Sequence, residues 1–136
     1  MIEILPMADR EKESAILDQT QRVAGEARVL AMQERETVLG WVALELEHEI
    51  LRILKFYADG YDFSRKPQGE EIFILDTLVR SAASYGETFG ARKIETVFPD
   101  FFGFLQARGF DSDELHTFTP MSTIVKYHHL GENSRK

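Results

Sequence analysis

Residues 28–57 read RVLAMQERETVLGWVALELEHEILRILKFY, and this stretch decides the fold. Arg28 to Gln33 and Val38 to Leu46 are rich in β-branched and apolar residues, and Glu34-Arg35-Glu36-Thr37 between them is polar, as a hairpin turn requires. Side chains alternate across a strand. Val38, Gly40, Val42, Leu44 and Leu46 are therefore expected on one face of the second strand, with Leu39, Trp41, Ala43, Glu45 and Glu47 on the other. A third strand, Glu49 to Tyr57, returns after a tight Glu47-His48-Glu49 turn. The three make an antiparallel meander.

Before the meander, Ile2 to Leu5 is a short apolar run closed by Pro6, the pattern of an edge strand. Asp9 suits the N-cap of a helix carrying Glu11 and Glu13 in its first turn, with Ile16, Leu17 and Val23 as its apolar face and an end near Gly25. After the meander, Asp59 to Gln68 is a loop. A long helix is expected over Gly69 to Phe89, with Ile72, Leu75, Leu78, Val79, Ala82, Tyr85 and Phe89 recurring at helical spacing and Gly90 ending it. Arg92 to Phe98 is a strand and Asp100 to Arg108 a short helix, followed by strands over Leu115 to Phe118 and Thr123 to Tyr127. No repeat or linker divides the chain, so residues 1–127 form one α+β domain, and 128–136 are a frayed tail without apolar pattern.

With 136 residues, 43% hydrophobic content and 29% charge, the chain can bury a core without staples. No cysteine is present, which excludes disulfides, thiolate catalysis and cysteine-ligated metals. The absence of an apolar run long enough to span a bilayer predicts no membrane partner, and the expected address is cytoplasmic. A net charge of −7, with scattered lysines and arginines, argues against nucleic acid as a partner. Asp111, Asp113, Glu114 and His116 read as a solvated loop rather than a metal site, and His128-His129 sits in the tail, so no metal cofactor is expected.

The element order β-α-β-β-β-α-β-α-β-β resembles that of the GNAT acetyl-CoA-dependent N-acetyltransferases. The similarity rests on Ile2-Glu3-Ile4-Leu5-Pro6, Val38-Leu39-Gly40-Trp41-Val42, Leu78-Val79, Gly90-Ala91-Arg92-Lys93-Ile94 and Phe104-Leu105-Gln106-Ala107-Arg108-Gly109-Phe110, in that order from Ile2 to Tyr127. It implies a mixed, mostly antiparallel, splayed sheet holding acetyl-CoA between its fourth and fifth strands, about Glu49–Tyr57 and Arg92–Phe98. The pantetheine arm would run along the backbone near Leu54, Phe56 and Tyr57. The pyrophosphate would sit on amides at the start of the long helix, where free N–H groups and the helix dipole favour an anion.

The resemblance also exposes departures. Lys66-Pro67-Gln68-Gly69-Glu70-Glu71 keeps the family's basic residue at Lys66 and one glycine at Gly69, but Glu71 stands where the family has a small residue. An ungapped count from Gly90-Ala91 puts Glu70, Phe73 and Leu75 on the motif instead. Carboxylates beside a pyrophosphate would repel it, by about 1 kcal/mol each at surface dielectric; equally, Glu70 and Glu71 complement the dipole in a helix's first turn. The tyrosine that protonates the departing thiolate in many members is matched by Leu105, and an asparagine near the end of the fifth strand by Phe98.

Acetyl transfer to an amine needs a group that takes the ammonium proton. Glu45 and Glu47, on the Trp41 face, are the candidate catalytic carboxylates, Glu45 first because it lies deepest in the strand; they fit a solvated sheet edge as well. A small-molecule or peptide amine is the partner expected of such an enzyme. Between the first and second strands there is room for one helix, where the family usually has two, so that either the acceptor is large, such as a protein or peptide amine, or a second subunit completes the wall in a homodimer. Two functions follow: an N-acetyltransferase of weak or specialised activity, or a GNAT-like binding or regulatory module that has lost CoA.

Overall fold

Two turns set the meander. Arg35 and His48 each open a two-residue connection in the left-handed region, at φ 57° and 55°, which lets consecutive strands fold back on each other with matched twist. In a computed structural model that describes residues 2–20, 26–96, 104–105, 107, 111–112 and 117–120, the strands β2 (Glu26–Glu34), β3 (Thr37–Glu47) and β4 (Ile50–Ala58) pair antiparallel in sequence. β1 (Ile2–Pro6) adds antiparallel to β2 at the edge. Beyond β4 come β5 (Lys93–Thr96), which is parallel to β4, then β7 (Thr117–Pro120) and β6 (Asp111–Ser112). The described strands form one sheet in the order β1-β2-β3-β4-β5-β7-β6.

Helix α1 (Arg10–Asp18) crosses one face. Asp9 caps it as expected, its carboxylate accepting from the Glu11 and Lys12 amides at 3.1 Å. The helix ends at Asp18 rather than near Gly25, and Val23 lies outside the described residues. Leu17 packs on Val29, Ala43 and Leu54. Where β1 ends, the Glu13 carboxylate takes over a partner strand's work: its Oε2 accepts from the Val29 amide and from Arg28 Nε, both at 2.8 Å.

The opposite face carries α2 (Glu70–Thr88) and the main core. Its buried stripe is Ile74, Leu75, Leu78, Val79, Ala82, Ala83 and Gly86. Ile72 and Phe89, expected inward, are exposed, as is Phe73. The Ala91 amide donates to Gly86 O and the Gly90 amide to Glu87 O, with Gly90 at φ 88°, a closure that needs a residue free to adopt positive φ. Gly40 lets α2 approach: a Cβ there would lie 2.6 Å from Tyr57 O and 2.7 Å from Ile74 Cγ2.

Two register shifts interrupt the meander, and the first corrects the alternation read from sequence. Met32 faces Gly40 but Gln33 faces Val38, so Leu39 is an extra residue in β3. Leu39 therefore packs on the main core, while Val38 is exposed. Ala43 faces Lys55 but Leu44 faces Ile53, making Leu54 a bulge in β4. The inserted residue switches phase, so Leu51 and Ile53 before it and Phe56 and Ala58 after it all join the core under α2.

Among the described residues the C-terminal elements fall within the expected spans: β5 covers Lys93–Thr96, Phe104 and Leu105 are helical, and the strand expected over 115–118 is described at 117–120, paired with an unforeseen short strand at 111–112. The strand expected over 123–127, the tail at 128–136 and Phe98 lie outside the described residues. Among the described residues, no helix is long and apolar enough to cross a membrane.

Candidate functional site

β4 and β5 pair over three positions only, Ile50 with Lys93, Leu51 with Ile94 and Arg52 with Glu95. One step further, the buried Thr96 hydroxyl donates to the Ile53 carbonyl at 2.8 Å. β4 then runs on through the Leu54 bulge to Ala58, and on its β5 side this stretch has no strand partner among the described residues. β5 is described as far as Thr96, so Arg52, Ile53 and Thr96 form the apex at which the described pairing ends.

Three of the sequence-derived positions lie on that free stretch. The Leu54 side chain is buried under α1. The Phe56 ring is buried towards α2 and meets Phe104 edge-on at 6.3 Å. Tyr57 points to the α1 side, stacked on Trp41 at 5.6 Å, and its hydroxyl donates to Asp59 at 3.0 Å. That bond, more than burial, raises the phenol above its ordinary value.

From Asp59 the chain reaches the start of α2 and an open cleft of about 550 Å³ between Leu39, Asp59, Arg65 and the helix's first turn. Gly69 is the N-cap at φ 55° and ψ −121°, a conformation for which glycine is suited, and a Cβ there would meet nothing within 4 Å. Among the described residues, no acceptor meets the amides of Gly69, Glu70 or Ile72. The basic residue beside the cleft is Arg65, whereas Lys66 is exposed and does not line it. Arg65 lies over the Tyr61 ring at 5.1 Å, and the Tyr61 hydroxyl donates to the Arg65 carbonyl. Its guanidinium grips Glu71 at two points, Nη1 to Oε1 at 2.7 Å and Nη2 to Oε2 at 2.5 Å. Glu71 Oε1 also accepts from the Gln68 amide at 3.0 Å. The Arg65 contact, then the amide, hold the Glu71 carboxyl down to about 2.

On the α1 face, the apex carries a charge cluster. Arg52 Nη1 donates to Glu47 Oε1 at 2.8 Å and to Glu45 Oε1 at 3.3 Å, and Nε donates to Glu95 Oε2 at 2.8 Å. Lys93 Nζ lies 3.4 Å from Glu95 Oε1. Burial works against the Arg52 charge, but the bonds to Glu47 and Glu95 outweigh it and raise the guanidinium further. Glu45 is completely buried, while Glu47 keeps 28% side-chain exposure. The structure thus gathers Glu45 and Glu47 around a cation and separates them by accessibility. Neither Arg52 nor Glu95 stood out in sequence: each occupies an outward position in a strand, and register alone brings them together.

No family model and no curated protein sequence matches the chain. Solved structures do. The ribosomal-protein-S18-alanine N-acetyltransferase from Escherichia coli superposes with a TM-score of 0.62 at 10% identity, covering 89% of this chain and 94% of that one. An acetyltransferase of the GNAT family from Staphylococcus aureus Mu50 gives 0.60 at 13% identity, covering 89% and 99%. The IAA acetyltransferase from Bacillus cereus ATCC 14579 gives 0.60 at 12% identity, covering 88% and 99%. Such identities speak to architecture, and a mixed sheet whose β4 and β5 are its parallel pair agrees with them: the chain has the fold of the GNAT acyltransferases.

Proposed function

We propose that this protein is an acyl-CoA-dependent N-acyltransferase whose acceptor is an amine on a small molecule or a peptide. The observation that supports this reading is that Leu54 to Ala58 of β4, which have no partner on their β5 side among the described residues, lead to the open amides of α2. Acetyl-CoA suits the residues present. Amides at Gly69, Glu70 and Ile72, a helix dipole behind them and an N-cap without a side chain are the donor set that takes a phosphate. Arg65 adds a cation, which balances Glu71. The β4 backbone from Leu54 to Tyr57 would hold the pantetheine arm, and Gly69 with its neighbours the phosphates, with Lys66 contributing positive charge at longer range. Bound there, the cofactor supplies an acyl group activated as a thioester.

The remaining chemistry belongs to the chain. Glu47 is the better placed of the two candidate carboxylates, because an acceptor ammonium can reach a partly exposed oxygen and not the buried Glu45. Glu47 takes the ammonium proton, directly or through water, and Arg52 fixes its direction. Glu45 and Glu95 hold Arg52 in place. Buried Leu105 has no proton to give, so the proton for the departing thiolate comes from solvent.

A second reading, a GNAT-like binding module without CoA, draws on one observation: the Glu71 carboxylate already accepts from the Gln68 amide beside the cleft. The two readings separate in an acyl-transfer assay that follows thiol release from acetyl-CoA over a panel of small amines and lysine- or amino-terminal peptides. Release that depends on the amine and drops at least tenfold in Glu47→Gln supports the transferase. A folded protein that releases no thiol with any amine favours the binding module.

A further inference from the structure

We propose that Glu71 is an internal stand-in for a donor phosphate, a specificity-determining residue that keeps part of the anion cradle filled until a ligand displaces it. The inference rests on the donor site of the transferase reading and concerns its control. Three features of the same side chain carry it. Glu71 receives a two-point contact from Arg65, the one cation lining the cleft among the described residues. It also accepts from the backbone amide of Gln68, immediately before the glycine N-cap. And it does both from the wall of a cleft of about 550 Å³ rather than from a packed interior. A planar guanidinium offers a carboxylate and a phosphate the same pair of donors, so a phosphate entering the cleft competes with Glu71 for Arg65 and for the Gln68 amide. Because the carboxyl is held down to about 2, it stays charged at every physiological pH, and proton uptake does not release it.

The arrangement also predicts which ligands are penalised. A donor arm without phosphate meets no competition, because it carries no anion that needs Arg65 or the Gln68 amide. A donor bearing pyrophosphate must break the Arg65–Glu71 contact or bind without it.

The test is calorimetric titration of acetyl-CoA and of S-acetylpantetheine into the full chain and into Glu71→Ala and Glu71→Gln, with the Gln68 amide resonance followed by NMR. The result expected is at least tenfold tighter acetyl-CoA binding in both variants, unchanged S-acetylpantetheine binding, and a Gln68 amide that moves on addition of acetyl-CoA. The gain should vanish in Arg65→Met/Glu71→Ala, since the freed guanidinium provides it. Glu71→Gln keeps the side-chain size and a hydrogen-bond acceptor, so it guards against a loop that merely loosens in Glu71→Ala. Equal or weaker acetyl-CoA binding in both folded variants overturns the proposal while leaving the transferase reading intact if S-acetylpantetheine still binds. Failure of all proteins to bind either compound overturns both.

Discussion

The Thr96 hydroxyl donates to the Ile53 carbonyl at 2.8 Å, one residue beyond the last backbone pair between β4 and β5. A side chain thus takes over from the ladder at the point where the described pairing ends. Both groups are buried, so losing the donor leaves a carbonyl desolvated without compensation. Thr96→Val should cost about 1–3 kcal/mol, seen as a lower urea midpoint at unchanged slope. Thr96→Ser should recover most of it. A neutral Thr96→Val would mean that this bond does not hold the apex.

Arg52 is the shared cation of Glu45, Glu47 and Glu95. Removing one member of a buried ion group costs more than the group contributes as a whole, because charges stay behind in a poor solvent. Arg52→Met should destabilise by about 3–5 kcal/mol near neutral pH. Denaturant melts of both proteins near neutral pH check this.

Gly40 sits where α2 comes down on β3. The added methyl of Gly40→Ala meets a backbone carbonyl, Tyr57 O, at 2.6 Å as well as Ile74 Cγ2 at 2.7 Å. A carbonyl held in the β3–β4 ladder cannot step aside as a side-chain tip can. The substitution should cost about 1–3 kcal/mol and loosen the packing of α2, measurable as faster hydrogen exchange along the helix.

The Arg65–Glu71 contact gives a signature in acid. The Glu71 carboxyl lies at about 2 in the folded chain against an ordinary 4.5. A depressed folded value means that the contribution is fully present above the unfolded value and fades as the pH falls from about 4.5 to about 2. Wild type should therefore lose more stability across that window than Glu71→Gln does, and the two pH profiles should run parallel above pH 6. Salt should narrow the difference, since Arg65 is half exposed.

The legible part of this fold was the part written in local pattern. Alternation gave the meander, and glycines at 69 and 90 bounded α2 to within a residue. Its weak points were the two bulges. An adjacent Ile53-Leu54 pair, where the apolar phase changes from odd to even, was the available signal for the second one. Val38 and Leu39 exchanged environments at the first. At the site, Gly69 could be read as a helix start because its neighbours are turn-formers. The preference of Glu71 for Arg65 over solvent could not, because it depends on how a ten-residue loop closes over Tyr61. Nor could the Arg52 cluster: Glu95 reaches Arg52 from 43 residues away, through a parallel pairing that no short-range rule specifies.

The central claim is that an acyl-CoA lies in the opening between β4 and β5, and amide NMR on the uniformly labelled protein tests it most directly. Titration with acetyl-CoA to millimolar concentration should shift the amides of Leu54 to Tyr57 together with those of Gln68 to Ile72, while Val29 and Ala43 under α1 stay in place. Shifts confined to other surfaces, or none in either wild type or Glu71→Ala, would contradict it.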